Sequence, residues 1–479
     1  MTAEPIKTDL PARMDALPWS RWHLLIVIAL GIRWVLDGLE VTLAGAVGAT
    51  LKDPAALGLS DADVGLSGTF YLIGAVAGAI GFGYATDRFG RRKLFFLTLL
   101  LYVGATAASA LSWGPGSYFV FRALTGAGIG GEYAAINSAI DELIPARVRG
   151  HVDLLINSTF WLGAALGSGA TIVLLNPEFL PVAYGWRIVF GIGAVLGLGI
   201  LLLRNSVPES PRWLLTRGRV DEAEAVVKDI QKHVMQDANG DHRAPKPQHR
   251  VTTIHPRSST PWKQIGRVML VEHRTRSILA FVLMVAQAFF YNALGFFTLP
   301  LILTKFYAVP ASHVSWYLLP FAVGNIAGPV LLGRLFDVIG RKPMIIATYA
   351  GAAVLLVITA VLFQHDLLTA VTQALTWTVI FFVASCAASA AYLTVSEIFP
   401  LELRAIAISI FYAIGTLIGG AGAPALFGYL IDTGSRNMVL LGFLLAAALM
   451  ATAAAAEAIW GVKAERRSLE EIATPLEAR

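Results

Sequence analysis

Long apolar stretches broken by short charged ones run along almost the whole chain. Twelve stand out, at 23–49, 62–86, 93–113, 115–141, 150–177, 184–204, 276–305, 312–337, 342–364, 368–398, 402–432 and 436–460. Each is long enough to supply the roughly 20 apolar residues that a helix needs to cross a bilayer core. The runs lack the strict alternation of barrel strands, so a β-barrel is disfavoured. The pattern predicts an all-α membrane protein with twelve transmembrane helices. Between the sixth and seventh runs the chain is too long and too charged for a tight connection. This predicts an N-terminal six-helix bundle at 1–204, a linker at 205–275, and a C-terminal six-helix bundle with a tail at 276–479. In the linker, Val220, Ala223, Val227 and Ile230 recur at helical spacing among Asp221, Glu222, Glu224 and Lys228, which predicts an amphipathic helix lying flat on one membrane face. The stretch from Gln236 to Arg257 is polar and contains proline, and reads as mobile.

The basic residues are distributed unevenly between the runs. If both ends lie inside, 31 of the 37 Lys and Arg fall on the inner side. Lys52, Arg187, Lys305 and Arg436 fall outside, and Arg33 and Arg122 fall within spans. Translocating cationic loops is unfavourable, so both termini are expected in the cytoplasm and the protein in the plasma or inner membrane. The first 22 residues hold Lys7, Pro11, Arg13 and Arg21 but no apolar core and no small-residue cleavage site, so no signal peptide is read.

Composition removes other classes. With 56% hydrophobic and 14% charged residues, the chain is unlike soluble domains, in which about a quarter of residues are charged. The net charge of +5 is scattered between apolar runs, with no compact basic patch for nucleic acid. A single cysteine, Cys386, excludes an intramolecular disulfide and a cysteine-based metal site. The nine histidines lie mostly in loops and show no metal spacing. No metal and no cofactor is expected. The chain contains no Gly-Lys pair, hence no P-loop, and no nucleophile with a base beside it, so an enzyme is not expected. The partners implied are the lipid bilayer, protons and a small-molecule substrate, handled by a monomer.

The two halves repeat each other. Gly83-Tyr-Ala-Thr-Asp87-Arg88-Phe-Gly90-Arg91-Arg92 follows the second run, and Gly333-Arg-Leu-Phe-Asp337-Val-Ile-Gly340-Arg341-Lys342 follows the eighth. The fourth run ends in Glu142, Pro145 and Arg149, and the tenth in Glu397, Pro400 and Arg404. The shared register predicts two pseudo-symmetric six-helix units, an arrangement that in membrane proteins rocks about a site near the midplane.

These residues resemble the signatures of the major facilitator superfamily. The Gly-x-x-x-Asp-Arg-x-Gly-Arg-Arg loop is its best-known mark, and Pro208-Glu209-Ser210-Pro211-Arg212-Trp213-Leu214-Leu215 is similar to the hallmark of sugar porters and their relatives. Arg122-x-x-x-Gly126-x-Gly128-x-Gly130-Gly131-Glu132 looks like the metabolite:proton symporter pattern, and Asp37-Gly38-Leu39-Glu40 is similar to the Asp-Gly-x-Asp of aromatic-acid carriers. Relatives sharing these marks carry aromatic acids, other metabolites, nicotinate or organic cations. Sugar porters usually bear paired glutamines and a later asparagine in span seven, where this chain has Ala286, Gln287 and Asn292. Their span-five glutamine is expected here as an alanine, near Ala164 or Ala165. Tyr392 occupies the place of an aromatic that covers the substrate in those porters.

Five charges stand out within predicted spans. Arg33, Asp37 and Glu40 share one helical face of span one, and Arg122 and Glu132 lie in span four. With about 1.5 Å of rise per residue, Glu40 is level with Arg122 near the outer side, and Arg33 with Glu132 near the inner side. Three carboxylates against two cations leave one acid in excess. A surplus carboxyl group in a low-dielectric cavity favours its neutral form and is a natural proton carrier. The resemblance points to Glu40 with Arg122. The charge count points to whichever of Asp37 and Glu40 lacks a cation, and the two are expected to titrate as one coupled site. The alternative is that the five charges only hold spans one and four together.

The remaining polar residues sort by depth. Asp87, Arg88, Arg91, Glu142, Arg149, Glu209, Arg212, Asp337, Arg341, Glu397 and Arg404 lie at inner ends of spans and form an expected cytoplasmic gate. Glu142 is matched with Arg149, Glu397 with Arg404 and Glu209 with Arg212, while Asp87 and Asp337 accept from neighbouring helix N-termini. Gln287, Asn292, Tyr291, Tyr392, Asn137 and Trp161 are the expected substrate-binding residues, able to hydrogen-bond and stack on a small polar ring. The reading is a proton-coupled symporter of a small polar metabolite, an organic or aromatic acid before a sugar, with Arg33 and Arg122 suited to a carboxylate. The alternatives are a proton-driven exporter of organic cations or drugs and, more remotely, a transport-inactive membrane sensor.

Overall fold

Because hydrocarbon cannot satisfy backbone N–H and C=O groups, an apolar run inside a membrane must close its own hydrogen bonds, and a helix does so. The structure, a computed structural model, describes residues 4–176, 178–201, 208–237, 251–257, 259–295, 298–310 and 313–476. Spans one to six are Arg21–Thr50, Asp61–Phe89, Arg91–Ala110, Pro115–Leu143, Arg149–Leu174 and Val182–Leu201. Span seven runs through Arg274–Phe290, Tyr291–Gly295 and Thr298–Tyr307, and span eight through Val314–Leu332 and Leu335–Val338. Arg341–Gln364 and Ala370–Ile398 are spans nine and ten. Span eleven comprises Arg404–Ile414, Gly415–Gly420 and Ala423–Asp432, and span twelve is Arg436–Trp460. Among the described residues, nine of these segments are long and apolar enough to cross a membrane by composition alone. The other three are spans one, four and five, which carry most of the buried charge within the bundle.

Span three illustrates how the sequence distributes its apolar faces. Leu94, Leu99 and Val103 are buried, while Leu97 and Leu100 on the opposite side are half exposed. A helix apolar all round has no polar solvent to face, so its outer leucines are the lipid-facing surface. Small residues set the inward face. A Cβ on Gly126 or Gly130 of span four would strike the Tyr71 or Ala75 carbonyl of span two, and one on Gly74 or Gly78 would strike Ala123 or Ala127. Spans one and five meet in the same way, Gly38 against the Phe160 carbonyl and Gly163 against that of Val35. Backbones approach this closely only where side chains are absent.

The repeated loops also turn alike. Gly90 has φ 106° and Gly340 φ 123°, conformations that L-residues rarely adopt. Spans seven and eleven both relax into a π-helical turn, at Tyr291–Gly295 and Gly415–Gly420, a distortion that often marks a functional site.

Of three hydrophobic cores among the described residues, the two larger follow the halves. One gathers Leu30, Trp34, Leu99, Tyr102, Ile136 and Ile140 of the N-terminal half. The other gathers Leu283, Phe290, Tyr349, Trp377 and Phe443 of the C-terminal half, and Leu154 and Trp161 of span five join it. One end of the bundle, here the terminal face, carries residues 4–20, the linker and residues 462–476. The linker helix is Val220–Asp237, with Ala223, Val227, Ile230 and Val234 buried. Two parts of this face depart from expectation. In the stretch Gln236 to Arg257, Thr252–Ile254 forms a strand pairing antiparallel with Ile6–Thr8; residues 238–250 of that stretch lie outside the described residues. The polar N-terminal segment also contains a helix, Leu10–Asp15, whose Leu10 and Met14 are buried with the following Leu17. Strand pairing with a distant partner leaves no periodic trace in so short a segment.

The span-two to span-four contact generates a stability prediction. Gly126→Leu is expected to cost at least the roughly 1–3 kcal/mol of an overpacked core, whereas Gly68→Leu, where a Cβ meets nothing within 4 Å, is near neutral. Thermal unfolding midpoints of the purified variants check this.

Candidate functional site

Between the halves lies a cavity of about 550 Å³, within the range of small-molecule sites. Its wall is aromatic. Trp34, Tyr71, Tyr133 and Trp161 come from the N-terminal half, and Tyr291, Tyr392 and Tyr412 from the C-terminal half. Asn157, Gln287, Asn292, Ser385, Ser389 and Thr416 interrupt it with polar groups, and among the described residues no charged side chain lines it. Tyr133 stacks on Tyr412 with centroids 4.6 Å apart, so rings of opposite halves touch at the cavity wall. The Tyr291 hydroxyl donates to Asn325 Oδ1 at 2.8 Å, and the Asn292 amide donates to the Ala288 carbonyl at 2.8 Å.

Five of the six expected substrate-binding residues are brought together here: Trp161, Gln287, Tyr291, Asn292 and Tyr392. Asn137 is not. It is fully buried in span four, and its amide nitrogen donates to the Tyr133 carbonyl of its own helix at 2.8 Å. Span five also contributes Asn157, about two helical turns from Ala164 and Ala165. Tyr71 and Tyr133 are also additions, and for Tyr71 the reason is that which face of the apolar span two turns inward depends on tertiary packing.

The five mid-membrane charges stand behind this wall and do not line it. Arg122 Nη1 contacts Glu40 Oε1, Arg33 Nη1 contacts Asp37 Oδ1, and Arg33 Nη2 contacts Glu132 Oε2. All five side chains are buried. The Arg122 guanidinium lies 4.8 Å from the centroid of Tyr71 and that of Arg33 4.4 Å from Tyr102, so rings cover the cations where water is absent. Two corrections follow. Arg33 and Arg122 are occupied by acids behind the aromatic wall, so they offer no carboxylate site in the cavity. Neither Asp37 nor Glu40 lacks a cation; the excess acid takes the form of Asp37 and Glu132 sharing Arg33. One oxygen of Glu40 and one of Glu132 make neither a hydrogen bond nor one of these contacts.

At the terminal face the halves are latched. Asp87 pairs with Arg91 at 3.0 Å and accepts from the Ile406 amide at 2.9 Å, at the N-terminus of span eleven. Asp337 pairs with Arg341 at 2.7 Å and accepts from the Gly150 and His151 amides at 3.2 and 2.8 Å, at the N-terminus of span five. Each aspartate thus caps a helix of the other half, where the helix dipole favours negative charge. The glutamates exchange partners in the same way. Glu142 takes Arg404 at 3.3 Å and Arg91 at 2.9 Å; Glu397 takes Arg341 at 3.1 Å and Arg149 at 3.9 Å. The matches expected within each copy, Glu142 with Arg149 and Glu397 with Arg404, are replaced by matches across the halves, because the repeat axis brings the two loops face to face.

The match of Glu209 with Arg212 is also corrected. Glu209 accepts from the Arg91 amide at 2.9 Å, and burial raises its carboxyl above the usual range. Arg212 instead pairs with Asp15 at 2.8 Å and Glu470 at 2.9 Å. Burial alone would raise Glu470, but Arg212 holds it below its ordinary value. Asp15 also pairs with Arg149 at 3.0 Å, so the N-terminal segment belongs to the latch. Arg88 does not; it is exposed and lies 5.2 Å from the Phe89 ring.

A family model described as Sugar (and other) transporter matches residues 42–474. Over 470 residues the chain is 29% identical to the niacin transporter NiaP of Acinetobacter baylyi, covering 97% of this chain and 99% of that one. It is 31% identical to the 4-hydroxybenzoate transporter PcaK of Pseudomonas putida over 235 residues, 48% of this chain and 50% of that one. Among solved structures, the proton:xylose symporter XylE bound to 6-bromo-6-deoxy-D-glucose superposes with a TM-score of 0.76 at 20% identity, covering 94% of this chain and 98% of that one.

The latch geometry yields a prediction. Ser409 is buried against Gly83 beneath the Asp87 contact. In a Cys386→Ala, Ser409→Cys background, Asp87→Asn is expected to raise thiol modification from the terminal face about tenfold, the equivalent of about 1.4 kcal/mol taken from the latch. An unchanged rate contradicts a latching role.

Proposed function

The chain belongs to the family of sugar and other transporters within the major facilitator superfamily, and on that premise we propose that it is a proton-coupled symporter of a small ring-shaped organic acid. The observation that carries the coupling is the sharing of Arg33 by Asp37 and Glu132 while Glu40 occupies Arg122. An ionised group at bilayer depth costs at least about 2.5–3.5 kcal/mol. Three carboxylates on two guanidiniums are neutral as a group only when one of them holds a proton. Asp37 and Glu132 compete for one cation, so the proton resides on that pair, with Glu40 and Arg122 setting the field beside it. Tyr71 and Tyr133 stand between this group and the cavity, so substrate contact with the rings is felt by the charges behind them.

The substrate class follows from the wall. Seven of its indole and phenol rings suit a flat ring, and the amides of Asn157, Gln287 and Asn292 suit its polar substituents. The names of the NiaP and PcaK relatives support an aromatic acid. Without a cation in the wall, the carboxyl group is held by amide and hydroxyl donors. An exporter of organic cations has less support, since among the described residues no carboxylate lines the cavity. We further propose that the terminal face is cytoplasmic, as the excess of basic residues on that side favours, and that the protein works as a monomer. Transport then proceeds by alternating access. Substrate and proton enter from the far side, the terminal latch opens, both leave, and the latch re-forms.

The test uses proteoliposomes with nicotinate and 4-hydroxybenzoate as probes. An inwardly directed proton gradient is expected to drive accumulation by the wild type. Asp37→Asn is expected to abolish that accumulation while leaving counterflow of labelled probe. Accumulation by Asp37→Asn and Glu40→Gln that still follows the proton gradient contradicts the coupling. Counterflow of neither probe by the wild type contradicts the substrate class.

A further inference from the structure

Between the cavity and the latch, spans four and five bury two further carboxyl groups that neither site uses. Asp141 and Asp153 are both fully buried. Asp153 lies one helical turn inward of Gly150 and His151, the amides that Asp337 accepts from. On its other side, one turn further, the Asn157 amide donates to the Asp153 carbonyl at 2.9 Å and to its Oδ2 at 3.2 Å. Asn157 lines the cavity. Asp153 is therefore one side chain away from the cavity and one turn away from the latch.

Among the described residues, neither aspartate has an ion pair of its own. Asp153 Oδ1 has no hydrogen-bond partner, nor has either carboxyl oxygen of Asp141. The Ser396 hydroxyl stands beside Asp141, but donates to the Leu393 carbonyl at 2.8 Å. Asp141 is faced by Glu397 of span ten, Arg149 of span five and Arg404 of span eleven. Asp153 is faced by Asp141, Glu397 and Arg341 of span nine. Each of these cations already serves another acid: Arg149 serves Asp15, Arg341 serves Asp337 and Glu397, and Arg404 serves Glu142. Two ionised aspartates beside Glu397, with no guanidinium of their own, cannot be held in a sealed low-dielectric space. A carboxyl group carrying a proton gains a donor and loses its charge.

We infer that Asp153 and Asp141 form a second proton-binding site, loaded while the terminal face is sealed and emptied when it opens. It rests on the symport reading above, with the terminal face as the cytoplasmic side. Opening the latch lets water reach both carboxyl groups. The O–H bond then breaks, the proton passes to water, and the carboxylates repel Glu397, which holds the latch apart. Reclosure requires the proton to return. Since the closed form binds more protons than the open form, alkaline pH on this side favours opening. The open-to-closed ratio climbs about tenfold per pH unit for each proton released. The site would thus tie the inner gate to cytoplasmic pH.

Two readouts on the full-length protein in lipid test this. In infrared difference spectra, the carbonyl stretch of a protonated carboxylic acid is expected at neutral pH in the wild type and reduced in Asp153→Asn and in Asp141→Asn. In the Cys386→Ala, Ser409→Cys background, thiol modification from the terminal face is expected to accelerate with rising pH, and to lose that dependence in Asp153→Asn. Thermal midpoints near that of the parent certify that these isosteric variants fold. A band undiminished in both variants, or an unaltered pH dependence, overturns the proposal. Asp37→Asn separates the two readings. If it abolishes proton-driven accumulation yet keeps the pH-dependent modification, both stand. If accumulation never follows the proton gradient while Asp153→Asn still loses band and pH dependence, the site stands and the symport reading fails.

Discussion

Charge cannot stay unmatched where water is excluded, and the rest of this structure follows from that constraint. The lipid-facing surface is apolar because only such a surface is tolerated there. The buried charged residues of spans one, four and five are turned inward, and all but Asp141 and Asp153 are met by an opposite charge. Where acids outnumber cations, as at Arg33 with Asp37 and Glu132, neutrality requires a hydrogen ion as the missing partner. The same shortage recurs nearer the terminal face, at Asp141 and Asp153. On the proposed reading, a mobile proton completes the electrostatic balance in both places, which is what a carrier coupled to protons needs.

The second theme is exchange between the halves. Asp87 and Asp337 cap helices of the opposite half, and Glu142 and Glu397 reach across for Arg404 and Arg149. A latch built this way has no stable half-open form, because parting the halves breaks its capping contacts together and exposes the freed groups to water. That favours two discrete states over a continuum. The N-terminal segment adds a further tie, since Asp15 bridges Arg149 of span five to Arg212 of the linker.

Much of this was legible from residue order. The twelve spans were visible because lipid demands long apolar runs. The pairing of Arg122 with Glu40, and of Arg33 with Glu132, could be reached from helical rise alone, since depth along two straight helices is a simple count. The cross-half exchange of Glu142 and Glu397 was not, because offsets of three and seven residues report proximity within one copy and are silent about the other. The aromatic wall was only partly visible: Tyr71 sits in a helix apolar on every side, where no period marks the inward face. Asn137 misled for the opposite reason, since a polar residue at the right depth can be buried in helix packing and donate to its own backbone. Asp15 gave no signal, its partners being more than a hundred residues away.

The most direct test of the central claim is to count protons moving with substrate. Proteoliposomes in weak buffer with an external pH indicator are given nicotinate or 4-hydroxybenzoate, with protein-free vesicles as reference. The account predicts that protein-dependent entry of the substrate alkalinises the outside, with about one proton taken up per substrate molecule, as one surplus carboxyl group requires. Substrate entry through the protein with no accompanying pH change would contradict it.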